Sequence, residues 1–337
     1  MTNLMTSSAA LSRAEAASLS PGERQDAMAN IFVGHDRFTE AMDAIKRFHM
    51  PVNGGRPDAG AVGVLAGESR TGKSYALKMY AHDFPAYQGE DGMIRPVVYV
   101  DMPSEGGFRS VLQAVADALN VPHTKSMDNG TLDKLIRGAL HAQRVQLLLL
   151  DEFQEVFDTS KKAMIAHGRG FLRKILNLGT LNILCAGLLQ TYEQMAGDPQ
   201  LTGRGNLPYK IIRPYGWANE DEKKLFRLLC DRFDDKLPFA TRSGLRREAI
   251  AHRLHWVTNG NIGRLKTFIY QAGCLAINDA SDQITTVHFA AAYDSIIPLG
   301  SKFHPFRDDM SRAPVPKEEK DRVEIAANGN ALTKQVG

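Results

Sequence analysis

Eight consecutive residues, Gly67-Glu68-Ser69-Arg70-Thr71-Gly72-Lys73-Ser74, combine two glycines, a lysine and a hydroxyl at the spacing that grips a phosphate chain. In such a loop, glycines let backbone N–H groups converge on the anion, Lys73 reaches the β- and γ-phosphates, and the Ser74 hydroxyl is a ligand for Mg²⁺. A nucleotide site needs a second half, and the run Val145-Gln146-Leu147-Leu148-Leu149-Leu150-Asp151-Glu152 supplies it. Asp151 caps an apolar strand, where it can hold the magnesium shell, and Glu152 is placed to polarise a water for attack on the γ-phosphate. The expectation is ATP with Mg²⁺, bound by Gly67 to Ser74 and Asp151, with Ser74 and Asp151 as metal ligands and Glu152 as the catalytic carboxylate.

These residues must be held by strands and helices, and the surrounding pattern predicts them. The apolar run Ala61-Val62-Gly63-Val64-Leu65-Ala66 leads into the loop as a buried strand, and Ala76, Leu77 and Tyr80 share one face of the helix that follows. Strands are expected at 96–101, at the run before Asp151, at 181–187 and at 209–213, with helices at 108–119 and 131–141 between them. Alternation of this kind predicts an α/β fold with a parallel five-stranded sheet. From Asn219 onward only helices are expected, at about 219–235, 244–258, 261–279 and 285–296, forming a small all-α domain. The expected layout is a flexible N-terminal arm over 1–30, a P-loop α/β domain over 31–217, a helical lid over 218–299 and a disordered tail over 300–337. Within the arm, Ser20-Pro21-Gly22-Glu23 predicts one capped short helix. The apolar residues of Ile31-Phe32-Val33-Gly34-His35-Asp36-Arg37 read either as an adenine pocket or as a staple before the next helix.

The 337 residues are 43% hydrophobic and 23% charged, an ordinary globular composition, with a net charge of +3. That balance excludes a global electrostatic grip on nucleic acid and leaves only local basic clusters. Cys185, Cys230 and Cys274 lack metal-ligand spacing, which argues against zinc or a disulfide framework and for a reducing, cytoplasmic compartment. No apolar run of about eighteen residues is present, so no membrane association is expected.

An α/β P-loop core followed by a helical lid resembles the AAA+ ATPases. Asp198-Pro199-Gln200-Leu201-Thr202-Gly203-Arg204, followed by Ile212-Arg213-Pro214-Tyr215-Gly216-Trp217, resembles the corresponding segment of TniB/TnsC-like transposition ATPases. Thr258-Asn259-Gly260-Asn261-Ile262-Gly263-Arg264-Leu265 resembles their lid motif, and the whole resemblance spans roughly residues 30–295. It implies that Arg204 is an arginine finger reaching a neighbouring subunit's γ-phosphate and that Arg264 is a second sensor contacting phosphate from the lid. A surface arginine is the competing reading of Arg204, and capping or pairing with a nearby acid that of Arg264. The chain departs from such ATPases at the end of the fourth strand, where Gly187-Leu188-Leu189 stands in place of a polar residue. That departure implies slow hydrolysis, with ATP serving mainly as an assembly signal.

The function implied by the resemblance is an ATP-dependent transposition regulator that assembles with itself, as a ring or helical filament, on double-stranded DNA. Its further partners would be a transposase and a TniQ-like targeting protein. Backbone grip needs Lys and Arg on phosphates, and Arg109, Lys161, Lys162, Arg169 and Arg173 are the candidates, each also readable as a solvated charge. Two other classes compete: a helicase-loader or initiator-like ATPase with a power stroke, and a signalling-type NTPase switch that binds only proteins.

Overall fold

A computed structural model describes residues 12–105, 107–157, 162–203 and 207–314. Two short helices, α1 (Arg13–Ala17) and α2 (Pro21–Ala29), open the described chain. Then follow α3 (Asp36–His49), β1 (Val62–Gly67), α4 (Lys73–His82), the hairpin strands β2 (Tyr87–Gly89) and β3 (Gly92–Ile94), and β4 (Val97–Asp101). Next come α5 (Gly107–Ala118), α6 (Asn129–Ala142), β5 (Leu147–Asp151), α7 (Lys162–Leu176), β6 (Asn182–Gly187), α8 (Leu189–Ala196), α9 (Pro199–Thr202) and β7 (Tyr209–Ile212). The C-terminal elements are α10 (Glu220–Lys236), α11 (Glu248–Thr258), α12 (Ile262–Asn278) and α13 (Thr286–Asp294). The chain forms two compact units: Asp36–Arg213 is one, and the described parts of Met1–His35 and Pro214–Gly337 are the other.

In the α/β unit the five strands pair in the order β4-β5-β6-β1-β7, every pair parallel, as the alternating pattern predicts. The three central strands are buried along their whole length, which is why they read as unbroken apolar runs. Side chains alternate between two cores. Val64, Val100, Leu148, Leu150 and Ile183 meet α5, α6 and α7 through residues such as Leu112, Ile136 and Leu172. Leu65, Leu147, Leu149 and Leu184 meet Ile45 of α3 and Leu77 of α4 on the other face. Leu147 to Leu150 are fully buried, each worth about 2 kcal/mol of transfer free energy, so the strand that ends in Asp151 is firmly anchored.

The helical unit corrects two boundaries. Residues 12–30 are not a flexible arm: both α1 and α2 start with reciprocal capping boxes, Ser12 with Glu15 and Ser20 with Glu23. Met28 is 1% exposed and lies against α12, where Gly273 leaves room for it, since a Cβ there would fall 2.0 Å from its methyl. Arg13 reaches the carbonyl of Asp234 at 2.6 Å, and Gln25 donates to the Tyr270 hydroxyl at 2.9 Å. The C-terminal boundary also moves. Phe306 stacks on Phe289 with centroids 5.5 Å apart, and the Trp256 indole N–H donates to the Pro314 carbonyl at 2.8 Å, so residues 303–314 belong to the folded unit rather than to a tail. Residues 315–337, including the charge run, lie outside the described residues.

Candidate active site

The C-terminal ends of β5, β6 and β1 stand side by side, with Ala66 paired to Gly187 and Leu150 paired to Cys185. In open parallel sheets this edge is where loops converge on ligands. The phosphate loop leaves β1 there, and the acidic pair leaves β5.

Each part of the phosphate loop has a local cause. Gly67 is required by the sheet: it pairs with Ile212 of β7, and a Cβ would fall 2.4 Å from the Ile212 carbonyl oxygen. Gly72 adopts φ +95° at the entry to α4, a conformation that other residues avoid. Arg70 also takes a left-handed backbone, φ 63°, at the exposed tip. The Thr71 hydroxyl closes the loop by donating to the Glu68 carbonyl at 2.8 Å. Gly72 at the N-cap has no side chain to cap the first turn of α4, and that end of the helix carries the positive end of its dipole, which suits an anion. Lys73 is 6% exposed, and its ammonium donates to the Gly67 and Glu68 carbonyls at 2.9 and 2.8 Å. Burial pulls its pKa below the usual lysine value, while Glu152, Asp151 and Glu68 pull the other way.

Asp151 is 1% exposed and fully oriented. One carboxylate oxygen accepts the Tyr99 hydroxyl at 2.8 Å, and the other accepts the Glu152 backbone N–H at 3.0 Å. Burial and the adjoining Asp151 carboxylate push the Tyr99 phenol well above its usual pKa, so it stays a donor. Asp101, next to Asp151 in the register, is pushed up by burial and by Asp151, with Lys78 opposing. Glu152 follows with φ 51°, a strained backbone of the kind stored at reactive positions. Its carboxylate accepts the Gln154 amide at 2.5 Å. The donor set suits magnesium: a hydroxyl at Ser74 and a fixed carboxylate at Asp151 are hard oxygens, and such a cation completes its shell from water and substrate phosphates. When bound, it would neutralise charge on the outer phosphates.

Other predicted residues are placed differently. Arg109 donates to the carbonyls of Met127 and Thr124 and to Asn129 Oδ1, so it ties down the link between α5 and α6. Arg169 donates to the Gln194 carbonyl at 2.7 Å and lies 3.4 Å from Asp198, while Arg173 bonds Gln200. These three candidate DNA contacts are thus engaged within the protein, and two of them brace the segment that leads into Arg204. Lys161 and Arg204 lie outside the described residues, and Lys162 opens α7. Ile31 and Val33 belong to the core of the helical unit, which favours the packing reading over an adenine pocket. Arg264 is exposed in the first turn of α12, where Asn261 caps the helix by accepting the Gly263 and Arg264 N–H groups. Sequence reasoning missed Tyr99 and Gln154; the signal available was that polar residues interrupt otherwise apolar surroundings beside Asp151 and Glu152.

The sequence model of one family, described as "Bacterial TniB protein", matches residues 25–207. The chain belongs to the TniB family. The match takes in the phosphate loop, the acidic strand and α9. Among solved structures, the TniB-family chain resembles Cdc6p from Pyrobaculum aerophilum, at 16% identity and a TM-score of 0.56, covering 81% of this chain and 71% of that one. It also resembles the Aeropyrum pernix ORC1 protein in complex with DNA, at 13% identity and a TM-score of 0.56, covering 81% and 69%. Drosophila ORC bound to DNA follows with 13% identity and a TM-score of 0.52, covering 88% and 69%. At such identities the likeness speaks to the fold alone, and the fold is that of an AAA+ P-loop ATPase. No curated protein matches the TniB-family chain. Among its described residues, no helix is long and apolar enough to cross a membrane.

Proposed function

We propose that this TniB-family protein is an ATP-dependent regulator of DNA transposition. It binds ATP with Mg²⁺ through Gly67 to Ser74 and Asp151, hydrolyses it slowly with the Glu152 carboxylate activating the attacking water, and in the ATP state assembles on duplex DNA to engage a transposase. The observation that carries this reading is the union of family membership with a site whose phosphate loop, Lys73 and paired acids lie on one edge of a parallel sheet. Arg204 acts in trans on a neighbour's γ-phosphate, which makes activity depend on assembly. Arg264 acts from the helical unit of the same chain. A TniQ-like protein is the targeting partner. Since Arg109, Arg169 and Arg173 are engaged internally, Lys161 and Lys162 remain the first candidates for backbone contact among the original five.

The test is duplex-DNA binding followed by fluorescence anisotropy with ATP, ADP and a non-hydrolysable analogue, paired with electron microscopy of the analogue complex. Binding only with ATP or the analogue, weakening steeply with salt as counterions are released, is expected. Equal binding with ADP or without nucleotide would refute ATP-driven assembly, and a protein that ignores DNA in every state would favour the signalling-switch class.

A further inference from the structure

At the end of β6, Gly187 leaves a space that a side chain would otherwise fill, and two polar groups occupy it. A Cβ on Gly187 would fall 2.4 Å from Gln154 Oε1 and 2.4 Å from Thr191 Oγ1. Gln154 lies in the short 3₁₀ turn Phe153–Phe157 that follows Glu152, anchored by the buried Phe153 and Val156 on either side. Its amide spans two elements. Oε1 accepts the Leu188 backbone N–H at 3.1 Å, and Nε2 donates to Glu152 Oε2 at 2.5 Å.

That pair of bonds fixes the direction of the amide. A backbone N–H can only donate, so the carbonyl end of Gln154 must face Leu188, and its NH₂ end must then face the carboxylate. Glu152 stands just past β5 on a left-handed backbone, outside the strand ladder that holds Asp151. A second anchor is needed to hold a carboxylate for water activation, and Gln154 is that anchor. Thr191 is fully buried, and its hydroxyl has no hydrogen-bond partner among the described residues. It lies at the same glycine, ready to take a hydrogen bond at the end of β6.

We infer that Gln154 is a positioning residue for ATP hydrolysis, which orients Glu152 from the end of β6 in the place of the polar side chain that Gly187 lacks. The inference rests on the reading of Glu152 as the group that activates water. Because the amide reaches Glu152 from outside the phosphate loop, it bears on the chemical step and leaves ATP affinity alone. It also needs Gly187: any side chain there displaces Oε1 from Leu188 and turns the amide away from the carboxylate.

The experiment measures kcat and KM for ATP, with single-turnover assays for slow variants, in the full chain and in Gln154→Ala, Gln154→Asn, Gly187→Ala, Glu152→Gln and the double variant Glu152→Gln/Gln154→Ala. Gln154→Ala should lower kcat about tenfold to a hundredfold, the loss expected when a catalytic group is misplaced by about 1 Å, with KM within about twofold. Gln154→Asn keeps the amide but is too short to span both partners, so it should fall to the same level with an unchanged melting temperature. Gly187→Ala should match them. In the Glu152→Gln background, removing Gln154 should cost nothing further, because it acts only through that carboxylate. A large Glu152→Gln defect beside parental turnover in both Gln154 variants overturns this inference alone. Equal turnover by the parent and Glu152→Gln overturns it together with the catalytic reading of Glu152.

Discussion

Replacing Lys73 with methionine separates what the lysine does for the fold from what it does for the nucleotide. Without nucleotide, the ammonium is buried and satisfied by the Gly67 and Glu68 carbonyls. Lys73→Met leaves the Glu68 carbonyl with its Thr71 donor, so only the Gly67 carbonyl loses its side-chain partner. An unsatisfied buried acceptor costs about 1–3 kcal/mol, and relief of the desolvated cation offsets much of it. The net change should be within about 1.5 kcal/mol, a melting shift of no more than about 5 °C for a unit of this size. ATP reverses the balance. At a ligand concentration of about 100 Kd the parent gains about 2.7 kcal/mol, or roughly 5–10 °C. Two charge-assisted contacts to phosphate are worth about 3–6 kcal/mol, so the variant's Kd should rise more than about a hundredfold. The same ATP concentration then stabilises it by less than about 0.4 kcal/mol, near 1 °C. Thermal melts of both proteins with and without Mg·ATP read this directly, and a full ATP-induced shift in Lys73→Met would falsify the site assignment.

Gly260→Ala should cost more than about 3 kcal/mol, because Gly260 has φ +65° and a Cβ would lie 1.8 Å from the Tyr215 carbonyl oxygen; unchanged stability in denaturant titration would contradict that contact. Leu148→Ala opens a cavity beneath the strand that carries Asp151 and should cost about 2–5 kcal/mol, measured by the same titration. His49 is fully buried, hydrogen-bonded to the Tyr80 hydroxyl and Gln146, and burial lowers its pKa below 6.5. The unfolded chain therefore takes up a proton near pH 6.5 that the folded one refuses, so the His49 contribution to stability is constant above that pH and is lost below it by up to about 1.4 kcal/mol per unit. Melting curves between about pH 7.5 and 5.5 should show this slope flattened in His49→Gln; parallel curves for the two proteins would exclude His49 as its source.

The phosphate loop and the Asp151-Glu152 strand were legible because their chemistry is carried by neighbouring residues and by apolar runs that declare buried strands. The reasons for individual residues were less so. Gly67 reads as loop freedom, yet its position is dictated by the Ile212 carbonyl on a strand almost 150 residues later. Arg109, Arg169 and Arg173 look alike as surface cations in sequence, and only the fold reveals that backbone carbonyls, Asp198 and the Gln200 side chain await them. Of the two N-terminal helices only α2 was readable, through the Ser20 capping box, and α1 with its Ser12 cap was not. Their packing was not, since its few apolar residues, such as Met28 and Val33, meet a surface formed at the other end of the chain. Gln154 escaped notice for a related reason: a missing Cβ at Gly187 becomes meaningful only once two strand ends are adjacent.

The helical unit is interrupted in sequence by the α/β unit, and this sets a timetable for synthesis. Gln25 and its partner Tyr270 are 245 positions apart. At about 5–20 residues per second, the ribosome needs on the order of tens of seconds to deliver the surface that covers α2. All of the α/β unit emerges in that interval and can close its own core first. Throughout it, Met28, Ile31 and Val33 have no native cover, so a ribosome stalled once residue 213 has emerged would display a nucleotide-binding unit preceded by an apolar N-terminal segment open to chaperones.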